Sequence, residues 1–278
     1  MTLRYVLVHL DKSDGSAARA DVAISLAKRF GARLAALYAV SDPDVPEVAS
    51  RNRYLFVERA AGKAQAAFQQ HAASFGIEAE WLADIGSNDN EVNRAVVLRA
   101  RDADLVVLGQ YEPGAADGRV PETLVETTIL QAGRPVLVVP FAGHFEAVGR
   151  RVVVAWNASR EVARAVHDAL PLLAQAEQVT LLVLADAASD RSSAPAEPAA
   201  DGILRHLGDH GVRAEVDRLV FDSGSIEPAE RLLSHLADAG ADLLVMGAAG
   251  QQMGRAAAKR SLTRHVLAHM TVPTLLSY

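Results

Sequence analysis

The sequence contains no cysteine among its 278 residues, and aromatic residues make up only 5% of it. The absence of cysteine excludes disulfides, thiolate nucleophiles, iron–sulfur clusters and cysteine-ligated zinc, and it agrees with a reducing compartment. Apolar runs such as residues 179–185 are far shorter than the roughly 20 residues that a membrane-spanning helix requires. We therefore expect a soluble protein with no membrane partner.

The chain also lacks an excess of basic residues. It carries 28 Lys and Arg against 34 Asp and Glu, which gives a formal net charge of −6 and an isoelectric point near 5.8. Proteins that bind phosphate backbones usually show the opposite balance, so we expect no nucleic-acid partner. The first apolar run, residues 5–10, ends at Asp11 without a small-residue cleavage site, so we expect no secretory signal.

Half of the residues are apolar (50%), enough to bury the core of one large domain or of two domains of ordinary size, and the chain repeats itself at about half its length. Three segments of the first half recur in the second: 4–13 as 150–159, 103–109 as 241–247, and 134–138 as 272–276. The join falls in residues 141–149, where two glycines occur and no periodicity is evident. We predict two domains, residues 1–141 and 150–278.

Within each copy, short runs of Val, Leu and Ile alternate with longer stretches of helical spacing. Such runs are typical of strands buried on both faces of a parallel sheet, and right-handed crossovers then give a doubly wound layer. We predict an α/β fold of two tandem Rossmann-like units, each a five-stranded parallel sheet with helices on both faces. The predicted strands are 4–10, 33–40, 78–84, 104–109 and 135–140, then 151–156, 178–185, 213–220, 242–247 and 273–277. The predicted helices are 16–30, 55–75, 89–101 and 120–132, then 160–174, 199–210, 227–239 and 259–269. The segment 186–200, rich in Ala, Ser, Asp and Pro, is predicted to be a mobile surface loop.

A glycine-rich segment follows the fourth strand of the second copy, at the end of the sheet where ligands bind in such folds. It contains Gly247 and Gly250, and a helix is predicted to begin near Ser261. Glycines let backbone N–H groups approach an anion closely, and a helix N-terminus adds donors and a favourable dipole. Alternatively, the glycines only close a tight turn, and the basic residues of 255–260 form a solvated surface.

The spacing of these residues resembles the universal stress protein family. Its nucleotide-binding members carry Gly-x-x-Gly, nine residues and then Gly-Ser or Gly-Thr after the fourth strand. Here Gly247 and Gly250 match, residues 251–259 are the nine, and the closing pair is Arg260-Ser261, so the glycine of that pair is replaced. The resemblance covers both copies and implies that each has the fold of the adenine nucleotide alpha hydrolases.

The resemblance implies a nucleotide site in the second copy. The family's acidic residue after the first strand corresponds to Asn157, and its hydrophobic contact to adenine lies near Leu184. The residues that we assign to this site are Asn157, Leu184, Met246, Gly247, Gly250, Arg260, Ser261 and Leu262. Arg260 either pairs with a phosphate or fills the space that a glycine would leave for it.

The first copy carries a degenerate version of the same pattern. Gly109 is retained, but the second glycine position is Glu112 and the closing pair is Glu122-Thr123. Carboxylates at these positions would repel phosphates, so we expect at most one nucleotide site. Asp11 matches the family's acidic residue, yet a role as a turn or capping residue ahead of the first helix accounts for it equally well.

Two histidine pairs and one tryptophan are further candidates. His206/His210 and His265/His269 have the spacing of one helix turn, but no Glu lies between either pair and no third ligand is evident, so we predict no metal site. Trp156, at a strand end, is expected in the core rather than stacked on a base. The sequence shows no P-loop and no nucleophile elbow, so we assign no catalytic residue.

The resemblance implies a cytoplasmic stress-response protein that binds ATP or another adenine nucleotide, with Mg²⁺ as an optional companion, and that is not an efficient enzyme. This expectation does not exclude slow hydrolysis of ATP by the protein. One alternative is a scaffold that acts through protein partners, which the substitutions at Asn157 and Arg260 favour. Another is an ATP-using enzyme, for which the second copy offers no obvious metal-binding carboxylate.

The resemblance also implies how the two copies pair. Single-unit family members dimerise through their last strands, so we expect the two copies to form an intramolecular pair. Further homodimerisation of the whole chain is left open.

Overall fold

The computed structural model describes residues 2–41, 52–115, 120–186, 200–221, 228–248 and 256–278. The chain divides into two compact units, Thr2–Glu146 and Ala147–Tyr278. Within the described residues, each unit contains five parallel strands and four helices that alternate along the chain. The predicted α/β fold is therefore confirmed.

In the first unit the sheet order is β3-β2-β1-β4-β5, so the order reverses between β1 and β4. The strands are β1 (Tyr5–Leu10), β2 (Arg33–Ser41), β3 (Ala79–Gly86), β4 (Leu105–Gly109) and β5 (Val136–Val139). The helices are α1 (Gly15–Phe30), α2 (Asn52–Ser74), α3 (Asp89–Ala100) and α4 (Leu124–Ala132).

In the second unit the corresponding order is β10-β9-β6-β7-β8, with the reversal between β6 and β9. The strands are β6 (Arg151–Trp156), β7 (Gln178–Asp186), β8 (Ala214–Phe221), β9 (Leu243–Gly247) and β10 (Thr274–Ser277). The helices are α5 (Arg160–Leu173), α6 (Asp201–Asp209), α7 (Pro228–Asp238) and α8 (Ala256–His269).

The central strands carry continuous apolar runs because both of their faces are covered. Val6, Leu7 and Val8 of β1 are at most 1% exposed. The strand β3, at the end of its sheet, is only partly buried, and its Trp81 stacks on Tyr38 of β2 with ring centroids 5.9 Å apart. The absence of alternation in the sequence of β1 thus reflects burial on two sides.

The register of the central strands is the same in both units. Val6 of β1 is paired with Leu105 of β4, and Val152 of β6 is paired with Leu243 of β9. These pairs are equivalent positions of the sequence repeat. The carboxyl ends of the first and fourth strands therefore meet at the same place in each unit, which positions the candidate sites.

A carboxylate at the opposite end of these strands fixes their register. Asp104, just before β4, accepts hydrogen bonds from the backbone N–H groups of Arg4 and Tyr5 at 2.8 and 3.0 Å. Asp242, just before β9, accepts from the N–H groups of Arg150 and Arg151 at 2.9 and 3.1 Å, and also from Gly149 at 2.8 Å. The repeat thus preserves an aspartate that holds the beginning of the first strand against the fourth.

Most predicted elements lie within two residues of the observed ones, but three helices begin elsewhere. The helix α2 begins at Asn52 rather than 55. The helix α4 begins at Leu124 rather than 120, because Pro121 starts a turn in which the Leu124 N–H donates to its carbonyl at 3.0 Å. The helix α8 begins at Ala256 rather than 259.

Of the predicted loop 186–200, residues 187–199 lie outside the described residues. No helix in the described part of the chain is long and apolar enough to cross a membrane.

We predict that Asp242→Ala destabilises the second unit by about 1–2 kcal/mol, because several backbone N–H groups lose their acceptor at a half-buried position. Asp242→Asn, which keeps one acceptor oxygen, is expected to cost less. Urea unfolding of the full chain measures the difference. The exposed Asp238, at the end of α7, provides the control, since Asp238→Ala is expected to change stability by no more than about 0.5 kcal/mol. Equal effects of Asp242→Ala and Asp238→Ala would contradict the role of Asp242.

Candidate functional site

In each unit the residue that follows the first strand lies beside the last residue of the fourth strand. In the first unit these residues are Asp11 and Gly109, and in the second they are Asn157 and Gly247. This is where the strand order reverses, and loops of neighbouring strands diverge there to leave a crevice. The predicted position of the candidate site therefore coincides with the switch point of both sheets.

Asp11 and Asn157 build the same local turn. The Asp11 Oδ1 atom accepts a hydrogen bond from the Ser13 N–H at 2.9 Å, and the Asn157 Oδ1 atom accepts from the Ser159 N–H at 3.0 Å. Such turns, in which the side chain bonds to the backbone two residues later, suit both Asp and Asn. The interpretation of Asp11 as a turn residue is thus correct, but it does not account for the rest of its surroundings.

The Asp11 carboxylate is buried against an arginine of α1. The Arg19 Nη2 atom lies 2.5 Å from Asp11 Oδ1 and donates to Ser13 Oγ at 3.1 Å. The side chains of Arg19 and Asp11 are 1% and 0% exposed. Since burying either charge alone would be costly, the two side chains depend on each other. Arg19 was not predicted to belong to the site, although residue 19 is at helical spacing with the buried Ala23 and Ala27.

Gly109 makes room for this arginine. A Cβ atom at Gly109 would collide with the Arg19 guanidinium group and with the Val120 side chain. The cleft that remains is lined by Ser13, Gln110 and Phe141, among others, and its volume of about 10 Å³ suits roughly one water molecule. In the first unit, the space between the ends of β1 and β4 is therefore filled by the protein's own side chain.

A buried histidine completes this cluster. His9 is 1% exposed and its Nε2 atom lies 2.8 Å from the Ala39 carbonyl oxygen. Burial lowers the pKa of His9 to about 4, and the Arg19 charge adds to this, while Asp11 and the Ala39 carbonyl oppose it. The ring is therefore neutral near pH 7 and donates to Ala39.

Asp11 remains ionised in the same surroundings. Burial by itself raises the pKa of Asp11, but Arg19, His9 and the hydrogen bonds from Ser13 and Arg19 outweigh it, so that the pKa lies below its usual value. The cluster thus contains a neutral histidine beside an ion pair.

The equivalent place in the second unit has a different composition. Asn157 is exposed, and the position equivalent to Arg19 is Ala165, which is completely buried. Gly247 packs directly on the beginning of α5, where a Cβ atom would collide with the Val162 N atom and with Glu161. Glycine is therefore required at 247 by the close approach of helix and strand.

Met246 and Trp156 belong to the core of the second unit. Their side chains are 3% and 6% exposed. The expectation that Trp156 packs in the core is confirmed. Leu262, in α8, is partly buried. Met246 can therefore form only a wall of a ligand site.

The position of Ser261 differs from the prediction. Because α8 begins at Ala256, Ser261 is its sixth residue, and its backbone N–H lies beyond the first turn, where N–H groups are bonded within the helix. The prediction that the helix begins near Ser261 is wrong. Three consecutive alanines, Ala256 to Ala258, favour an earlier start. In the first unit, by contrast, α4 begins directly after Thr123.

The remaining predicted site residues are not described at the level of side chains. Leu184 lies in β7 and Arg260 in α8, whereas Gly250 lies outside the described residues. In the first unit, Glu112 lines the cleft beside Arg19, and Glu122 is exposed. The acidic residues of the first unit therefore lie near the position predicted for phosphates.

The rings of each histidine pair lie close together. His265 and His269 lie in α8, whereas His206 lies in α6 and His210 directly follows that helix. The ring centroids of His206 and His210 are 4.7 Å apart, and those of His265 and His269 are 4.3 Å apart. Among the residues that the structure describes, no group of three or more His, Asp or Glu side chains could hold a metal ion.

Comparison with known proteins shows a match to one protein family. The model of the universal stress protein family matches residues 2–140 and again residues 149–277. A search of curated proteins gave no match.

Three solved structures illustrate the structural similarity. A universal stress protein from Archaeoglobus fulgidus DSM 4304 is 15% identical, with a TM-score of 0.73 over 99% of this chain and 96% of that one. A functionally unknown protein from Pseudomonas aeruginosa PAO1 is 12% identical, with a TM-score of 0.61 over 99% and 92%. A half-length Archaeoglobus fulgidus universal stress protein in complex with dAMP is 16% identical, with a TM-score of 0.34 over 50% and 98%. At these identities the first two similarities show the fold.

We predict that the wild-type chain loses about 2 kcal/mol of stability between pH 7 and pH 5 through His9. The pKa of His9 is lowered from 6.5 to about 4 on folding, so the unfolded chain binds the proton first as the pH falls. This contribution is fully present above pH 6.5 and is lost progressively toward pH 4. Asp11 does not contribute in this window, because its pKa in the folded state lies below 3.8.

The variant His9→Gln should lose less stability over this interval, because glutamine retains a donor for the Ala39 carbonyl oxygen and does not titrate. Urea unfolding at pH 7 and pH 5 compares it with wild type. The exposed His144 serves as the control, and His144→Gln should keep the wild-type pH dependence. If His9→Gln kept that dependence as well, the assignment of the titrating group would be wrong.

Proposed function

The chain belongs to the universal stress protein family, and we propose that its second unit is an adenine-nucleotide-binding module that acts in a stress response. The observation that carries this proposal is the difference between the two switch points. Arg19 fills the crevice of the first unit, whereas the second unit has Ala165 at the equivalent position. The second unit thus lacks the side chain that occupies the ligand position in the first.

The proposed site lies between the ends of β6 and β9. Asn157 is at its mouth, Gly247 forms its floor, Met246 forms a wall, and Leu184 lies on the neighbouring strand β7. Gly247 also brings the beginning of α5 against β9, and the N-terminal turn of a helix favours anions through its dipole. These residues surround a ligand from the floor and one side.

The phosphates are proposed to meet the beginning of α8. Because the first four N–H groups of a helix have no partner within it, residues 256–259 replace Ser261 as backbone donors. Gly250, Arg260 and Leu262 keep their proposed places in the same stretch, between β9 and the second turn of α8. The site is therefore displaced by about one helical turn from the family's usual Gly-Ser pair.

The proposed ligand is ATP or another adenine nucleotide, in a cytoplasmic protein. Asn157 brings no negative charge to a bridging Mg²⁺, so we expect binding to depend less on the metal than it would with Asp at this position. We propose binding rather than catalysis, because no base or nucleophile is assigned at the end of β6 or β9.

The second candidate function is a scaffold that acts through protein partners without a nucleotide. Two observations favour it. Asn157 replaces the family's acidic residue, and the Ser261 N–H lies inside α8 rather than at its beginning.

Calorimetric titration of the full chain with ATP tests the proposal. We expect one ATP per chain and loss of measurable binding in Gly250→Leu, because a large side chain would block the approach of the phosphates to the backbone. The matched control is Glu112→Gly, which changes the corresponding glycine position of the first unit and should leave binding intact. Assay of ADP in the same samples reports on hydrolysis.

Other outcomes have distinct meanings. Two equivalent sites, or one site that Gly250→Leu leaves unchanged, would show that the wrong unit has been assigned. No binding of ATP by the wild-type chain would exclude the nucleotide proposal and leave the scaffold.

A further inference from the structure

We propose that Arg19 is an internal ligand of the first unit, and that the space between the ends of β1 and β4 is a guanidinium-binding site built around Asp11. The arginine thereby determines that this unit takes no external ligand. The inference rests on first-unit residues and is independent of nucleotide binding by the second unit.

The site is shaped around the guanidinium group. Arg19 reaches it from α1, and the whole residue is 1% exposed. Its Nη2 atom lies 2.5 Å from Asp11 Oδ1 and 3.1 Å from Ser13 Oγ. At Gly109 the absence of a side chain lets the guanidinium group approach the backbone of β4, where any Cβ atom would collide with it. The charge of Asp11, the hydrogen bonds made by Nη2 and the backbone shape at Gly109 thus match a guanidinium group.

Hydrogen bonding in the cluster is incomplete, both for Arg19 and for the residues around it. Among the described residues, the buried atoms Arg19 Nε, Arg19 Nη1, Asp11 Oδ2 and His9 Nδ1 have no hydrogen-bond partner. Buried polar groups that serve only stability are normally satisfied, and an unsatisfied group raises the cost of burial.

The two units of the chain differ at this site by a matched pair of changes. The first unit has Asp11 with Arg19, and the second has Asn157 with Ala165. The carboxylate and the arginine are therefore present together or absent together, although the surrounding strands keep the same register. This is expected if the arginine exists to occupy the carboxylate.

The chemistry of the site also defines what could replace Arg19. A ligand must neutralise Asp11, and Glu112 adds a second carboxylate at the cleft. Phosphates are therefore rejected. A planar guanidinium group fits best, because Gly109 leaves room for it against β4 while one of its nitrogens reaches both Asp11 and Ser13.

The test removes the Arg19 side chain by mutation and adds the lost guanidinium group back as a small molecule. Arg19→Ala in the full chain leaves a space of the length of ethylguanidinium, and we expect this probe to raise the melting temperature saturably, with a dissociation constant on the order of 1 mM. We expect n-propylammonium, which has the same charge and a similar length, to bind at least about tenfold more weakly.

Two control variants define the site. The wild-type chain, whose site is filled, should show no stabilisation by ethylguanidinium. Arg19→Ala combined with Asp11→Asn should lose the response, because the carboxylate is gone.

The outcome is decisive even if Arg19→Ala does not fold alone. In that case, circular dichroism during refolding in ethylguanidinium replaces the melting temperature as the readout, and recovery of helix that Asp11→Asn abolishes supports the proposal. Absence of any selective response in Arg19→Ala, folded or unfolded, would overturn it. So would an equal response to n-propylammonium, which would reduce the effect to charge.

Discussion

The parallel pairing of the first strand with the fourth is the constraint on which both candidate sites depend. It places Asp11 beside Gly109 and Asn157 beside Gly247, residues that are far apart in the chain. Aspartates at the other end of the strands, Asp104 and Asp242, hold the register, and a shift of register would separate the paired residues. The sheet therefore fixes where a ligand can bind, and the side chains around its switch point determine what that ligand can be.

The two units place different side chains at this shared switch point. The first buries a cation and an anion against each other, which is tolerable only because both are present. The second has an apolar helix face at the same place, with Ala165 completely buried and Asn157 in solvent. One architecture thus carries, in a single chain, a switch point filled by a buried ion pair and another at which a helix packs directly on a glycine.

The strands were predictable from the sequence because continuous apolar runs, such as Val6 to Val8, are typical of doubly buried strands when they recur in an alternating α/β pattern. The repeat also located the sites. The burial of Arg19 was not predicted, because a charged residue in a helix is ordinarily exposed. Its ion-pair partner, Asp11, is eight residues away in the sequence, and the two side chains meet only because α1 packs on β1. The start of α8 was missed because the family pattern suggested Ser261, whereas local alanines extend the helix to Ala256.

The hydrogen bonds from the beginning of β1 to Asp104 have a consequence for synthesis of the protein. They join residues 100 positions apart in the chain, whereas β2 pairs with β1 after only one intervening helix. At the usual rates of translation, on the order of 10 s separates the synthesis of Arg4 from the synthesis of Asp104. During synthesis, the edge of β1 that faces β4 therefore stays without its partner strand for longer than the edge that faces β2, and the switch point that holds Arg19 cannot form before β4 has been made.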